Sequence, residues 1–276
     1  MTKRLYKGPR GGAPGDSAAP QQNATSGEWI YGRRPVVEIL RAQSRTVYEL
    51  ILPPHAAGEA DDVAELRLRA RAASIPVRSL DRDRLDRICR GGHHQGVAVR
   101  VSPFEYTPFE DLLLEAADNP GALFVVLDHL TDPQNVGTIL RTANAAGATG
   151  VVVAEDRACG VTPAAVRASA GASETVKVAR VVNIVRAMED LKKAGVWLTG
   201  LDFGPDARDW DAVDYTGAAG VVVGAEGEGL SRLVRRTCDF VAQLPMLGAV
   251  ESLNASVASA ISLYEIVRQR RAAAKR

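Results

Sequence analysis

The chain has 276 residues, 46% of them hydrophobic and 24% charged, with 34 Lys and Arg against 33 Asp and Glu. That is room for one large domain or two smaller ones, and no apolar run reaches the roughly 18 residues of a membrane span. The basic, Gly- and Pro-rich start lacks the apolar core of a secretory signal, so the expected location is cytoplasmic. Cys89, Cys159 and Cys238 lie far apart without a CxxC pair. They suggest neither a disulfide framework nor a zinc site and are expected to be inert thiols. The charge divides by position: residues 1–100 hold 17 Lys and Arg against 11 Asp and Glu, a net +6, whereas residues 101–276 hold 17 against 22, a net −5. A basic front half suggests a polyanionic partner for that half.

Residues 1–28, with Gly8-Pro-Arg-Gly-Gly12 and a Pro/Gln/Asn/Ser-rich continuation, read as a disordered basic arm. A first folded segment runs from Trp29 to Val101. Its pattern predicts a helix at Pro35 to Ala42, a strand at Val47 to Leu52, a helix at Ala60 to Ala73, a short strand at Ile75 to Val77, a helix at Asp81 to Cys89 and a closing strand at Val97 to Val101. The loop Gly91-Gly-His-His-Gln-Gly96 is either a structural turn or a carrier of His and Gln donors toward RNA; adjacent histidines project apart, so a metal pair is disfavoured. Residues 102–119, with three prolines in Ser102 to Pro120 and a short helix at Phe109 to Ala117, read as an interdomain linker.

From residue 120 onward strands and helices alternate. Strands are expected at Leu123 to Leu127, Gly150 to Ala154, Val176 to Ala179, Val196 to Leu201, Val221 to Val223 and Phe240 to Leu244. Helices are expected at Gly137 to Ala146, Pro163 to Ala170, Ile184 to Ala194 behind an Asn183 cap, a short one from Leu230, and a long final one opened by Ser252-Leu-Asn-Ala-Ser256. Such alternation argues for a parallel sheet covered on both faces, with ligands beyond the carboxyl ends of its strands. The glycine-broken turn Gly224-Ala-Glu-Gly-Glu-Gly229 falls at one of those ends, with the carboxylate of Glu226 at its mouth.

Three polar stretches could carry chemistry: Asn135 at a helix entrance with Arg141 six residues on, read as sharing a face; the Glu226 turn; and the Ser/Asn entry to the final helix. Capping or a surface ion pair accounts for each alone, but not for the set. There is no G-x-x-x-x-G-K-[ST] loop, no G-x-G-x-x-G after the first strand and no G-x-S-x-G elbow. Group transfer from an activated donor remains open, because positioning then supplies most of the barrier reduction.

The stretches NVGTILR, VVVGAEGEGL and LPMLGAVESLNASVASAISLYE resemble, in order and separation, the three motifs of the SpoU (TrmH-type) RNA ribose 2′-O-methyltransferases. YGRRPVVEIL and HHQGV resemble that family's L30e-like substrate-binding domain, in the branch that methylates a guanosine ribose of large-subunit ribosomal RNA. The resemblance implies an α/β fold: a C-terminal SPOUT-type parallel sheet with a deep trefoil knot at residues 120–276, behind an L30e-like RNA-binding domain at 29–101. It implies S-adenosylmethionine held near Gly224, Leu244, Met246, Ser252 and Leu253, and a catalytic set of Asn135, Arg141, Glu226, Asn254 and Ser256, with either Arg141 or Glu226 as proton acceptor and with no metal. The alternatives are transfer RNA as substrate and a catalytically silent ribosome-binding protein. It also implies a homodimer. In the final helix Val257, Ile261 and Tyr264 form an apolar row, and Ala255, Ser259, Ser262 and Ile266 form a row of mostly small residues, the latter expected to admit the second subunit.

Overall fold

A computed structural model describes residues 27–54 and 60–275, so the basic arm lies almost wholly outside the described residues. The front part contains β1 (Glu28–Tyr31), α1 (Arg33–Ala42), β2 (Val47–Ile51), α2 (Asp61–Ala72), β3 (Val77–Arg78), α3 (Arg82–Ile88) and β4 (Ala98–Val101). Its sheet has the order β1-β4-β2-β3, in which β4 runs antiparallel to both neighbours and β3 parallel to β2. Amphipathic α1 turns Val36, Ile39 and Leu40 inward beside Leu50, Leu66 and Val99. The loop before β4 is largely structural. His94 Nδ1 accepts from Gly96 N–H at 3.0 Å while its Nε2 sits 2.9 Å from Asp86, and Gln95 accepts from Arg33 N–H at 3.2 Å where α1 begins; His93 is left exposed.

The second part runs α4 (Phe109–Asp118), β5 (Leu123–Leu127), α5 (Pro133–Ala145), β6 (Gly150–Ala154), α6 (Pro163–Ala168), β7 (Val178–Val181), α7 (Ile184–Lys193), β8 (Trp197–Leu201), β9 (Arg208–Asp209), β10 (Ala219–Val223), α8 (Arg232–Thr237), β11 (Phe240–Gln243) and α9 (Ala255–Ala273). Its strands form one parallel sheet of order β7-β6-β5-β10-β8-β11-β9. Every residue of β5, β6 and β10 is buried, as parallel strands covered on both faces require. Alternate side chains of β5 serve two cores: Leu123, Val125 and Leu127 pack toward α5 and α9, and Phe124 and Val126 toward α4 and α7. A buried aliphatic side chain contributes about 1.5–3 kcal/mol, so these runs fix the register as well as the layers. Gly137 lets α6 close on α5, since a Cβ there would lie 2.4 Å from the Ala165 carbonyl oxygen.

The structure moves several expected boundaries. The strand expected at Val176 to Ala179 is β7, two residues later, and two-residue β9 was not anticipated. Helix α5 begins at Pro133, capped by Asp132, whose carboxylate accepts from Gln134 N–H at 2.9 Å. Asn135 is therefore a buried residue inside the first turn and not the cap. Asn183 does cap α7, accepting from Arg186 N–H at 3.0 Å. The stretch between the sheets is docked along its length: Thr107 N–H donates to the Val178 carbonyl at 2.8 Å, and Tyr106 Oη accepts from Val161 N–H at 2.9 Å.

The faces of α9 are the reverse of the expectation. Ser259 and Ser262 are buried within the chain, on a helix that packs against α5, while Val257 (45% exposed) and Tyr264 (53%) face outward. Burial pushes the Cys89 thiol up to about 11 and that of Cys238 to about 12, away from the reactive thiolate. Among the described residues no helix is long and apolar enough to cross a membrane, and no His, Cys, Asp and Glu group is placed to hold a metal ion.

Candidate active site

Chain order reverses between β5 and β10, the place where a doubly wound sheet opens a crevice at its carboxyl edge. There β10 ends in the turn 224–229. A Cβ on Gly224 would meet the Gly229 carbonyl oxygen at 2.1 Å, and Gly227 and Gly229 have φ of +79° and +67°, which glycine adopts without strain. Gly229 N–H closes the turn on the Ala225 carbonyl at 3.0 Å. Beside it, buried Asp128 at the end of β5 accepts from Ser231 N–H at 2.7 Å, fixing the entry to α8, and lies 2.5 Å from His129 Nδ1.

Three elements meet over this turn. Asn254 caps α9: its Oδ1 accepts from Ser256 N–H at 2.9 Å, Val257 N–H at 3.3 Å and Ser256 Oγ–H at 2.6 Å. Its amide nitrogen donates to Asn135 Oδ1 at 2.9 Å and also to Glu226 Oε1. Asn135 Nδ2 donates to the same Glu226 oxygen at 2.9 Å. Residues 135, 226, 254 and 256 are thus one hydrogen-bonded unit. Two amides hold Glu226 Oε1, which leaves Oε2 without a hydrogen-bond partner among the described residues and able to accept a proton or orient a hydroxyl.

This unit stands between two clefts. One, of about 230 Å³, is bounded by Gly224, Glu226, Leu244, Met246, Ser252 and Leu253. The other, of about 790 Å³, is bounded by Asp128, His129, Asn135, Asp156, Glu226 and Leu233. Glu226 borders both. Sequence reasoning did not single out Asp128 or His129, although a carboxylate ending a wholly apolar strand was a usable signal.

Arg141 is elsewhere. Six residues at about 100° each fall about 120° short of two turns, so Asn135 and Arg141 do not share a face of α5. Arg141 is exposed on a third groove, of about 530 Å³, together with Arg34, Glu38, Arg41 and Glu65 of the front sheet's helices. Glu226 is engaged by the two asparagines and does not orient Arg141 within this chain. In that groove Arg41 is neutralised by Glu65 at 2.8 Å and Glu38 at 3.1 Å, whereas Arg34 and Arg141 have no hydrogen-bond or ion-pair partner among the described residues.

A parallel sheet with a glycine-walled cleft and a preorganised amide–carboxylate unit at its switch point, carrying a separate basic domain, is the arrangement of a group-transfer enzyme acting on nucleic acid. Residues 122–264 match the SpoU rRNA Methylase family, and residues 29–107 match the family of RNA 2′-O ribose methyltransferase substrate-binding domains. A Mycobacterium ulcerans protein called an uncharacterized tRNA/rRNA methyltransferase is 45% identical over 88% of this chain and 78% of its own length. A Bacillus subtilis protein called a putative TrmH family tRNA/rRNA methyltransferase is 40% identical over 88% of this chain and 96% of its own. Among solved structures, the SpoU methyltransferase AviRb of Streptomyces viridochromogenes, in complex with the cofactor AdoMet, superposes with a TM-score of 0.73 at 26% identity, covering 92% of this chain and 95% of that one. The chain belongs to the SpoU rRNA methylase family.

Proposed function

We propose that this protein transfers a methyl group from S-adenosylmethionine to a ribose 2′-hydroxyl of RNA, with a guanosine of large-subunit ribosomal RNA as the target. The observation that carries this reading is the unit of Asn135, Glu226, Asn254 and Ser256 standing between a glycine-walled cleft and a larger polar one. The smaller cleft fits the cofactor: the glycine turn 224–229 walls one side, and Leu244, Met246 and Leu253 offer apolar surface. Gly224, Leu244, Met246, Ser252 and Leu253 would hold S-adenosylmethionine, which when bound supplies an activated methyl group on a sulfonium. Glu226, its Oε1 fixed by two amides, takes the proton of the 2′-hydroxyl on Oε2, and Asn135 keeps that carboxylate aimed. A guanidinium is a poor base because its pKa exceeds about 12, which leaves Arg141 to hold RNA phosphate. The trefoil threading of the C-terminal segment belongs to the same proposal.

Calorimetric titration tests the cofactor site. S-adenosylmethionine is expected to bind one site per chain with EDTA present, and Leu253→Arg, at a part-exposed position bordering the cleft, to lose that binding while staying folded. Saturable binding by the arginine variant would place the cofactor elsewhere.

The domain at residues 29–101 carries the RNA contact in this reading, supported by its net positive charge and by Arg34 facing the groove beside Arg141. Affinity for ribosomal RNA should fall steeply with salt, and Arg34→Gln should lower the slope of log affinity against log salt by about 1. An unchanged slope would remove Arg34 from the interface.

A homodimer completes the proposal, with its seam on Val257, Ile261 and Tyr264 in place of the small-residue row. Tyr264→Arg should cost roughly 2 kcal/mol or more per copy, doubled by a two-fold axis, and give monomers with weakened methyl transfer. Sedimentation of the unsubstituted protein as a fully active monomer at micromolar concentration would sink the idea.

A further inference from the structure

The larger cleft raises a question the transfer reaction leaves open: which base accompanies the ribose. It shares Asn135 and Glu226 with the polar unit and extends from there across the carboxyl ends of β5 and β6 to the starts of α7 and α8. A hydroxyl presented to Glu226 from this side brings its nucleotide into the cleft, and a stacked nucleotide reaches it only by leaving its stack. Two apolar side chains that border the cleft stand open, Val182 at 78% and Leu233 at 64% exposure, and offer walls to a flat ring.

The ionisable groups facing this space are Asp128, Asp132, Asp156, Glu226 and Glu228, with His129 and Arg157. Most are committed. Asp128 holds Ser231 N–H and His129, Asp132 caps α5, and Glu226 holds the two asparagines; Glu228, on the turn that also borders the cofactor cleft, has no partner of its own among the described residues. Asp156 and Arg157, side by side after β6, have no hydrogen-bond or ion-pair partner among the described residues. Arg157 has a backbone φ of +53°, which a non-glycine residue adopts rarely and more often at functional sites than elsewhere.

Resting on the methyltransferase reading, we propose that this cleft receives the everted target nucleotide, that Asp156 reads its base, and that Arg157 holds an adjoining phosphate. A carboxylate is an acceptor on both oxygens, so it selects an edge with two neighbouring N–H donors. Among the four bases that edge is guanine's, through N1–H and N2–H; uracil presents one N–H between two carbonyls, which the carboxylate repels. Asp156 is a specificity-determining residue in this scheme, and it takes no part in proton transfer.

The test is a titration followed by NMR, using full-length protein saturated with S-adenosylhomocysteine and, as probes, guanosine and uridine 5′-monophosphate. The guanosine nucleotide should bind about tenfold or more tighter than the uridine nucleotide, without displacing S-adenosylhomocysteine. Asp156→Asn, on an exposed loop and checked by its thermal melt, should bring the two within about threefold of each other. Arg157→Gln should weaken both equally. Displacement of S-adenosylhomocysteine by the nucleotide, or an unchanged base preference in Asp156→Asn, overturns the assignment and leaves the methyltransferase reading intact. Failure of S-adenosylhomocysteine to bind at all would remove that reading and this assignment with it.

Discussion

Replacing Asn254 by alanine is expected to lower the turnover of methyl transfer by roughly 10²–10³-fold, the range for loss of one preorganised polar contact at a reacting centre. One side chain here does three things: it caps α9, holds Asn135 and fixes Glu226 Oε1. Loss of the cap alone costs about 1 kcal/mol of stability, far too little to explain such a fall in rate. Asn254→Asp separates the roles. Aspartate caps a helix as well as asparagine does, but it donates no hydrogen bond and sets a second carboxylate against Glu226. The aspartate variant should therefore melt near the parent temperature, bind S-adenosylmethionine and fail to transfer the methyl group. Parental turnover by Asn254→Ala at saturating cofactor would remove Asn254 from the reaction.

The second large effect lies between the two sheets. Glu174→Ala should destabilise the protein by about 3–5 kcal/mol, because it strips a buried guanidinium of its two-pronged partner and leaves it only the longer ion pair with Glu28. Arg45 and Glu174 have side-chain exposures of 1% and 0%, and they pair in a two-pronged contact of 3.0 and 2.8 Å. Ser44 Oγ donates to the same carboxylate at 2.8 Å, Glu28 approaches Arg45 at 3.2 Å, and the guanidinium lies 4.9 Å from the centre of the Phe104 ring. Urea denaturation measures the loss. The pair Arg45→Met with Glu174→Leu, which removes both charges, should recover most of it. A cost below about 1 kcal/mol in the single variant would show that water reaches the arginine, as at an ordinary surface pair.

The layout of the second sheet was legible because its strands are short apolar runs punctuated by glycine and by capping residues such as Asn183, signals that sit within a few residues of each other. The Asn254 cap was legible for the same reason. Contacts closed by the fold were not. Arg45 and Glu174 are 129 residues apart, and nothing local marks either as buried. Two-residue β9 exists because Ala242 and Gln243 of β11 offer it an edge, not because Arg208 and Asp209 favour extension. In α9 both rows could be read from the spacing, but which turns inward depends on how the rest of the chain packs against that helix. The helical phase between Asn135 and Arg141 needed an exact count, and six residues is the wrong one.

The turn 224–229, pinched by the pairing of Ala225 with Gly229, stands between the two clefts as a party wall, with Glu226 and Glu228 bordering both rooms. Whatever stiffens such a wall from one side stiffens it for the other, so the tenants on its two sides are not independent. Any ordering of the turn by the first arrival is a cost the later one does not meet. Linkage then requires reciprocity: if cofactor tightens the grip on RNA by some factor, RNA tightens the grip on cofactor by the same factor.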